Sequence, residues 1–344
     1  MQLHTVWFIV IAILWVGFFV LEGFDFGVGA LHTIVGKTET GMRVALNAIG
    51  PFWDGNEVWL VVAGAGMFAA FPGWYATMFS ALYLALLLVL VALIGRGVAF
   101  EFRGKHSGAR WRATWTWCTT LGSLLIPLLL GVGLGDLLSG LPIDSAHEYS
   151  GDFFDLLTPY GLWTGVTLVG LCLLHGCTFL TLKTTDDVRA RARALARPLG
   201  WVAVALVLGF VIWTRVVVGH TQVPGPVEAL ALLAVIFAAR LVRSEHEGWA
   251  FAASATAIAA TVGSIFIDLY PNVMISSTSS AYNLTVSNSA SGSYALTVMS
   301  IVTVIFLPLV LLYQGWSFHV FRARVKAPPQ APASPGVDIG APLS

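Results

Sequence analysis

Charged side chains are scarce in this sequence. They make up 10% of the 344 residues, whereas soluble globular proteins average about 25%. Hydrophobic residues make up 57%, and so few charges cannot cover the surface of a soluble protein of this size, although a lipid-covered surface needs none. The 18 basic and 18 acidic residues also cancel, so no net field would attract nucleic acid. The composition therefore argues against a soluble enzyme, a nucleic-acid-binding protein and a disordered scaffold, and it predicts a polytopic membrane protein.

Cysteine is also rare. Cys118, Cys172 and Cys177 all lie in apolar segments, and the spacing of the last two suits neither a zinc site nor an evident disulfide. We therefore interpret them as small hydrophobic residues of packed helices. The sequence lacks a basic segment before its first apolar run, which is long and contains acidic residues, so we expect this run to remain as a membrane span and not to be cleaved as a signal peptide.

Long apolar runs are abundant. A membrane helix needs about 20 mostly apolar residues to cross about 30 Å of hydrocarbon. Nine segments are candidates, although the second carries two acids near its start and the seventh is short. They are residues 6–34, 52–71, 74–99, 113–136, 159–182, 199–218, 226–243, 249–268 and 294–318. The predicted fold is all-α, with nine transmembrane helices in one domain over residues 1–326 and a disordered cytoplasmic tail at 327–344, which is rich in Pro, Ala and Ser.

The basic residues divide the loops into two groups. With nine spans, 17 of the 18 Lys and Arg residues fall on one side of the membrane, and only Arg215 lies towards the other. The longest loop on the opposite side is acidic, with Asp136, Asp144, Glu148, Asp152 and Asp155. The positive-inside rule then places the N-terminus outside and the C-terminus in the cytoplasm. One span more or fewer would mix the two groups of loops.

Four carboxylates fall within predicted spans, where each charge costs a few kcal/mol and so needs a reason. The first span contains Glu22 and Asp25, which are three residues apart and share a helix face. The second span begins with Asp54 and Glu57, again three residues apart. Under the predicted topology all four lie in the cytoplasmic half of the membrane, and Gly23 and Gly27 would let another helix approach closely.

Two explanations of these acids remain open at this point. In one, Asp54 and Glu57 stabilise the positive end of a helix dipole, while Glu22 and Asp25 bond to neighbouring hydroxyl groups. In the other, the acids form a proton- or ion-conducting path that opens to the cytoplasm, because carboxylates in a low dielectric can exchange protons near neutral pH. Their placement alone does not distinguish a pump, a transporter and an oxidase.

A histidine within a span could bind a haem iron. His175 lies well inside the fifth span, whereas His4 and His32 lie near span ends. A buried histidine is more often a hydrogen-bonded helix contact, no two histidines have a spacing that would clamp one haem, and the Cys-x-x-Cys-His attachment motif is absent from the sequence. His175 is therefore the one candidate metal ligand, and a helix contact is the preferred interpretation.

Several segments resemble subunit II of the cytochrome bd-type quinol oxidases of bacteria. The similar segments run in order along the chain: residues 22–29, 50–60, 68–72, 96–103, 270–271, 288–294 and 313–316. Glu22 stands where the family usually has Asp, and the polar stretch around Met274 and Ser289 is somewhat altered. The series covers nearly the whole chain, and only its two ends are left out.

The resemblance implies a multi-pass protein of the bacterial plasma membrane that packs as a pseudo-symmetric partner beside subunit I. Subunit I would carry the quinol site, two haems b and one haem d, and this chain would have no redox haem of its own. Quinol and oxygen would be the substrates, and protons for water would come from the cytoplasm without pumping. A structural quinone in this chain and small accessory subunits are further family features that the sequence leaves open.

The family's proton route maps onto the acidic segments described above. The residues expected to form it are Asp25 and Asp54, with Glu22, Trp53, Asn56 and Glu57 beside them. A proton-coupled secondary transporter and a purely structural membrane subunit remain alternatives. Transporters often show internal repeats and matching broken helices, and neither is evident in the sequence. We expect the first and second spans to contact subunit I.

Overall fold

Long α-helices dominate the structure, a computed structural model that describes residues 2–219, 224–244 and 246–327. The helices are α1 (Leu3–Gly36), α2 (Glu39–Ile49), α3 (Trp53–Ala70), α4 (Pro72–Ala81), α5 (Tyr83–Phe102), α6 (Ala109–Ser139), α7 (Pro159–Lys183), α8 (Asp186–Val218), α9 (Pro226–Leu241), α10 (Glu247–Leu269) and α11 (Ser293–Val320). Two short strands, β1 (Asn272–Met274) and β2 (Leu284–Thr285), pair antiparallel between α10 and α11. The predicted disordered tail lies outside the described residues, apart from Ala327.

Each predicted span coincides with helical structure, although the third is divided between α4 and α5, which meet at Leu82. Within the described residues, seven helices are long and apolar enough to cross a membrane: α1, α5, α6, α7, α8, α10 and α11. The other two spans correspond to α3, whose first two turns are polar, and to α9, which has 16 residues. The all-α membrane class is confirmed, whereas the number of crossings and the orientation of the termini stay predictions.

The helices run between two ends that differ in charge. At one end, which we call the basic end, Arg191 at the start of α8 donates hydrogen bonds to the carbonyls of Val35 and Gly36 at the end of α1. At the other, the acidic end, the loop after α6 packs on the segment around β1, where the Leu141 amide donates to the Ile275 carbonyl at 3.0 Å. The connections between helices are therefore tied to one another at both ends.

The second half of α1 lies at the centre of the bundle. Every residue from Glu22 to His32 is buried, so this stretch is enclosed by protein on all sides. A Cβ atom at Gly27 would lie 2.0 Å from the carbonyl oxygen of Cys172 in α7, and only glycine permits this close approach of two backbones. The glycine-rich part of the first span therefore packs against α7 of its own chain, and the expectation that the first and second spans contact subunit I stays a prediction.

Three helices form a layer with an exposed apolar surface, which we call the open layer. Helix α3 is its middle member, with α5 beside it through the contact of the Trp53 and Phe100 rings and α11 beside it through the contact of Gln314 with Asn56. Few residues of these helices are fully buried: four in α3, three in α5 and only Leu296 in α11. The surface of the open layer is available to lipid or to another protein.

Candidate proton-transfer site

A buried ion pair joins the middle of α1 to α5. Oε1 of Glu22 lies 2.6 Å from Nη1 of Arg96, and neither side chain has any exposed surface. The guanidinium group also lies over the rings of Phe26 and Phe100, at 4.9 and 5.1 Å from their centres. Nε of Arg96 donates a hydrogen bond to the Ser123 hydroxyl at 3.2 Å. Because a single buried ion is costly, each member of this pair depends on the other.

Asp25 starts a chain of side-chain hydrogen bonds that crosses three helices. Nδ2 of Asn56 in α3 donates to Oδ2 of Asp25 at 2.7 Å and to the Leu21 carbonyl at 3.0 Å. Nε2 of Gln314 in α11 donates to Oδ1 of Asn56 at 2.8 Å. Asp25 and Asn56 are fully buried, whereas Gln314 is half-buried in the open layer. The chain of bonds therefore leads from the centre of the bundle to a surface that another subunit could cover.

The carboxylates near this ion pair are incompletely satisfied. Within the described part of the chain, Oε2 of Glu22, Oδ1 of Asp25 and Oε1 of Glu57 are buried and accept no hydrogen bond. Three carboxylates surround one cation, Arg96, and an uncompensated negative charge in such a place is strongly unfavourable. Taking up a proton or binding a water molecule would therefore stabilise the cluster. A proton-transfer site must be able to bind both protons and water.

The first turn of α3 contains the remaining residues that the sequence assigned to the path. The indole ring of Trp53 packs against Phe100, with ring centres 5.0 Å apart, and Glu57 is half-buried at the edge of the cluster. Asp54 is exposed and faces away from the cluster, on the same side of α3 as the exposed Val58. The structure thus brings Glu22, Asp25, Asn56 and Glu57 together but gives Asp54 a separate environment.

Two residues of this site, Arg96 and Gln314, were not predicted from the sequence. The sequence interpretation counted Arg96 with a basic loop, yet Arg96 is one of the largest fully buried side chains. The signal was present, because Arg96 follows an apolar run from Tyr83 to Gly95 and precedes a further apolar stretch, and such a position requires an acidic partner. Gln314 belonged only to a family-like segment, and nothing in the sequence pointed to its contact with Asn56.

His175 has the environment of a helix contact. Its Nδ1 is hydrogen-bonded to the Ser254 hydroxyl at 2.7 Å, and its Nε2 donates to the Val20 carbonyl at 3.2 Å. The imidazole also stacks on Phe251, with ring centres 4.5 Å apart and planes 11° from parallel. Both ring nitrogens therefore have protein partners, and neither is oriented towards a site that could hold an iron atom.

Further polar groups lie between the cluster and the basic end. His32 is fully buried, and its Nδ1 donates to the Gly29 carbonyl at 2.7 Å. At the basic end itself, Arg103 donates two hydrogen bonds to Glu39, at 2.8 and 2.9 Å, and its Nε donates to the Thr116 hydroxyl. These bonds from Arg103 hold the pKa of Glu39 below its ordinary value.

Comparison with known proteins assigns the family. Residues 3–321 match the family model described as cytochrome bd terminal oxidase subunit II. Cytochrome bd ubiquinol oxidase subunit 2 of Bacillus subtilis (strain 168) is 45% identical over 328 residues, which are 94% of this chain and 97% of that protein. The chain belongs to the cytochrome bd terminal oxidase subunit II family. The resemblance inferred from the sequence motifs is therefore confirmed.

Two further relatives agree with this assignment. Cytochrome bd-I ubiquinol oxidase subunit 2 of Escherichia coli (strain K12) is 32% identical over 360 residues, which cover 94% of this chain and 95% of that protein. A chain in the structure of the bd oxidase from Geobacillus thermodenitrificans has the same fold, with a TM-score of 0.76 at 20% identity, over 93% of this chain and 99% of that one. The chain is thus a membrane-bound subunit of a bd-type oxidase, and these relatives give no support to a secondary transporter.

Proposed function

We propose that this chain supports a haem-bearing subunit I and carries protons from the cytoplasm towards the place where that partner reduces oxygen to water. The observation that carries the proposal is the enclosed cluster of Glu22, Asp25 and Glu57 around Arg96, with carboxylate oxygens that accept no hydrogen bond from the described residues. A quinol would supply the electrons, and two haems b and one haem d in subunit I would transfer them to oxygen. The quinone type and any accessory subunits stay expectations from the family.

His175, the candidate ligand that the sequence offers, does not fit a haem. Iron in a haem needs an axial ligand, and both nitrogens of His175 are bound within the chain. We therefore assign every haem to the partner, and we derive no step of the reaction on this subunit beyond proton transfer. A structural quinone in this chain stays an expectation from the family.

In the proposed topology the chain crosses the membrane nine times, with the N-terminus outside and the basic end in the cytoplasm. Helices α3 and α9 complete the count, because both join the two ends that the seven longer helices connect. At 18 and 16 residues they span about 27 and 24 Å at 1.5 Å per residue. The excess of Lys and Arg at the basic end supports this orientation.

Protons would enter from the basic end along α1. His32 lies two helical turns from Asp25 on the same face, about 10 Å along the axis, and Ser123 lies beside the intervening turn, where it contacts Gly29. Water would complete this entrance, because side chains at this separation need a bridging molecule. Asn56 cannot itself carry a proton, so its role is to fix Oδ2 of Asp25 while Oδ1 stays available.

The proposed exit leads to the open layer. Glu57, half-buried between Asp25 and the surface, is the next group that can take a proton. The surface also presents the carboxylate of Asp54 and the amide of Gln314, and polar groups facing lipid would be costly. We therefore assign the open layer to the contact with subunit I, where that protein would cover these groups and receive the proton.

Asp25→Asn in the intact complex tests the proposal. The matched control is Glu101→Gln, which neutralises an exposed acid at the basic end. We expect oxygen consumption with quinol to fall at least about tenfold in Asp25→Asn, in the range lost with a proton-transfer group, while the haem absorption spectrum stays normal. The control should behave as wild type.

The other outcomes are equally informative. If Asp25→Asn loses haem and activity together, the acid holds the helices in place and the chain is a purely structural subunit. If Asp25→Asn consumes oxygen at the wild-type rate, protons reach the partner by another route and the proposed path is wrong.

A further inference from the structure

A long apolar groove runs along the outside of α9 and α10, with a volume of about 490 Å³. It is far larger than a water-sized void, and its walls are two helical stripes. The lining residues are Leu230, Leu233, Ala234, Ile236, Phe237 and Arg240 from α9, and Trp249, Ala252, Ala253 and Thr256 from α10. This groove has no part in the proton-transfer site.

The shape of the groove suits a single hydrocarbon chain. Small side chains, Ala252 and Ala253, form its floor, while Leu233, Phe237 and Trp249 stand at its rims with more than half of their surface exposed. A lipid chain placed between these rims would contact apolar atoms on three sides. Thr256 also lines the groove, and its hydroxyl already donates a hydrogen bond to the Ala252 carbonyl.

The end of the groove nearest the basic end is cationic. Arg240 lines it and is exposed, and it makes no ion pair or side-chain hydrogen bond among the described residues. Arg243, three residues further on, is exposed as well, with its guanidinium group 5.8 Å from the ring centre of Trp201. Arginine forks match the oxygens of a phosphate group, and tryptophans are typical of the level of lipid headgroups.

Nearby acids do not balance these two arginines. Glu247, at the start of α10, is already paired with three other arginines, Arg189, Arg193 and Arg324. Glu245 lies outside the described residues, and even with its charge the segment from Arg240 to Glu245 has a net positive charge by sequence. The arginines also interact favourably with the negative end of the α9 helix dipole. That interaction alone does not explain why an apolar groove lies beside them.

We propose that the α9–α10 groove is a binding site for an anionic phospholipid of the cytoplasmic leaflet, with its phosphate on Arg240 and Arg243 and one acyl chain in the groove. Three features together carry this assignment: a cationic end whose Arg240 has no ionic partner among the described residues, a tryptophan rim and an apolar channel. Basic pockets between helices on the cytoplasmic side are typical of such lipid sites. The proposal is independent of the proton path.

The test uses the oxidase complex purified with its subunit I and stripped of lipid in detergent. Binding of phosphatidylglycerol and of phosphatidylcholine with identical acyl chains is measured by native mass spectrometry, for wild type and for Arg240→Gln. We expect wild type to bind phosphatidylglycerol about tenfold more tightly, and Arg240→Gln to lose this preference, as for the loss of one charge-assisted hydrogen bond. Arg110→Gln, an exposed arginine elsewhere at the basic end, should leave it unchanged.

A second pair of variants tests the channel itself. Ala252→Phe fills the groove from an exposed position, and Ala252→Ser keeps it open. The first should weaken the binding of both lipids, and the second should not. The proposal is overturned if wild type shows no preference between the lipids, if Arg240→Gln and Arg110→Gln act alike, or if Ala252→Phe has no effect. It is also overturned if inorganic phosphate displaces bound phosphatidylglycerol as effectively as an equal concentration of free phosphatidylglycerol does.

Discussion

Arg96→Met should destabilise the folded subunit strongly, because it leaves the Glu22 carboxylate enclosed without a cation. Breaking one side of a buried ion pair costs about 3–5 kcal/mol. The guanidinium group also lies over two aromatic rings, and each such contact contributes about 0.5–2 kcal/mol. Methionine keeps most of the apolar packing, so we expect a total loss near the lower end of this sum, at least about 4 kcal/mol in the free energy of unfolding.

The companion variant is Glu22→Gln in the same chain. It removes the uncompensated charge, so the double variant should regain at least about 2 kcal/mol over Arg96→Met, since replacing both members of a buried pair is often tolerated. The assay is denaturant titration of the purified complex, with haem absorbance and tryptophan fluorescence as independent readouts. Arg110→Met, at an exposed site, is the control. A loss of less than about 1 kcal/mol in Arg96→Met, or a double variant no more stable than the single one, would refute the assignment of this pair as the charge-compensating contact.

Two further predictions concern packing and pH. Gly27→Ala would place a methyl group 2.0 Å from the Cys172 carbonyl oxygen, so we expect the free energy of unfolding to fall by about 1–3 kcal/mol from overpacking and the yield of assembled complex to fall with it. Gly95→Ala, which has open space around it, is the control and should behave as wild type. Equal yields from the two variants would contradict the close approach of α1 and α7. Bonds from Arg103 lower the pKa of Glu39, so this pair should stabilise the fold above about pH 4.3, the unfolded value, and cease to do so as the pH falls through the lowered pKa. Because Glu39 is partly exposed, the effect should be below about 1 kcal/mol. The measurement is the difference in unfolding free energy between wild type and Glu39→Gln, taken at pH 7 and at pH 3.5. A difference that is larger at pH 3.5 than at pH 7 would contradict this prediction.

The helices could be predicted from apolar run lengths because each must fill about the same membrane thickness. The division of the third span at Leu82 could not, since neither glycine nor proline occurs between Trp74 and Ile94. The pairing of Glu22 with Arg96 also escaped prediction, because it depends on how two distant helices pack. By contrast, the enclosure of Asp25 was foreseeable from its charge and from the glycines beside it.

The Asp54 environment marks the limit of reasoning from spacing. Asp54 and Glu57 are three residues apart on a short helix turn, and both were expected to face the same path as Asp25. The rotation of α3 about its axis decides which side chain points inward, and Asn56 takes the inward position, where it binds Asp25. Asp54 therefore lies on the opposite side of α3 from Asn56, and Glu57 alone remains beside the cluster.

Helix α11 buries only one of its residues, and this has a consequence for the assembly of the complex. The described hydrogen bonds that attach α11 to the rest of the chain are few: Trp7 donates to the Leu296 carbonyl and to Ser300, and Gln314 donates to Asn56. Just after the helix, Lys183 donates to the carbonyls of Phe321 and Ala323. Before assembly, α11 would therefore be held at only a few described positions, with most of its length accessible to quality-control proteases. Assembly with the partner would then protect the nascent subunit from degradation, which would keep the cellular amounts of the two polypeptides matched.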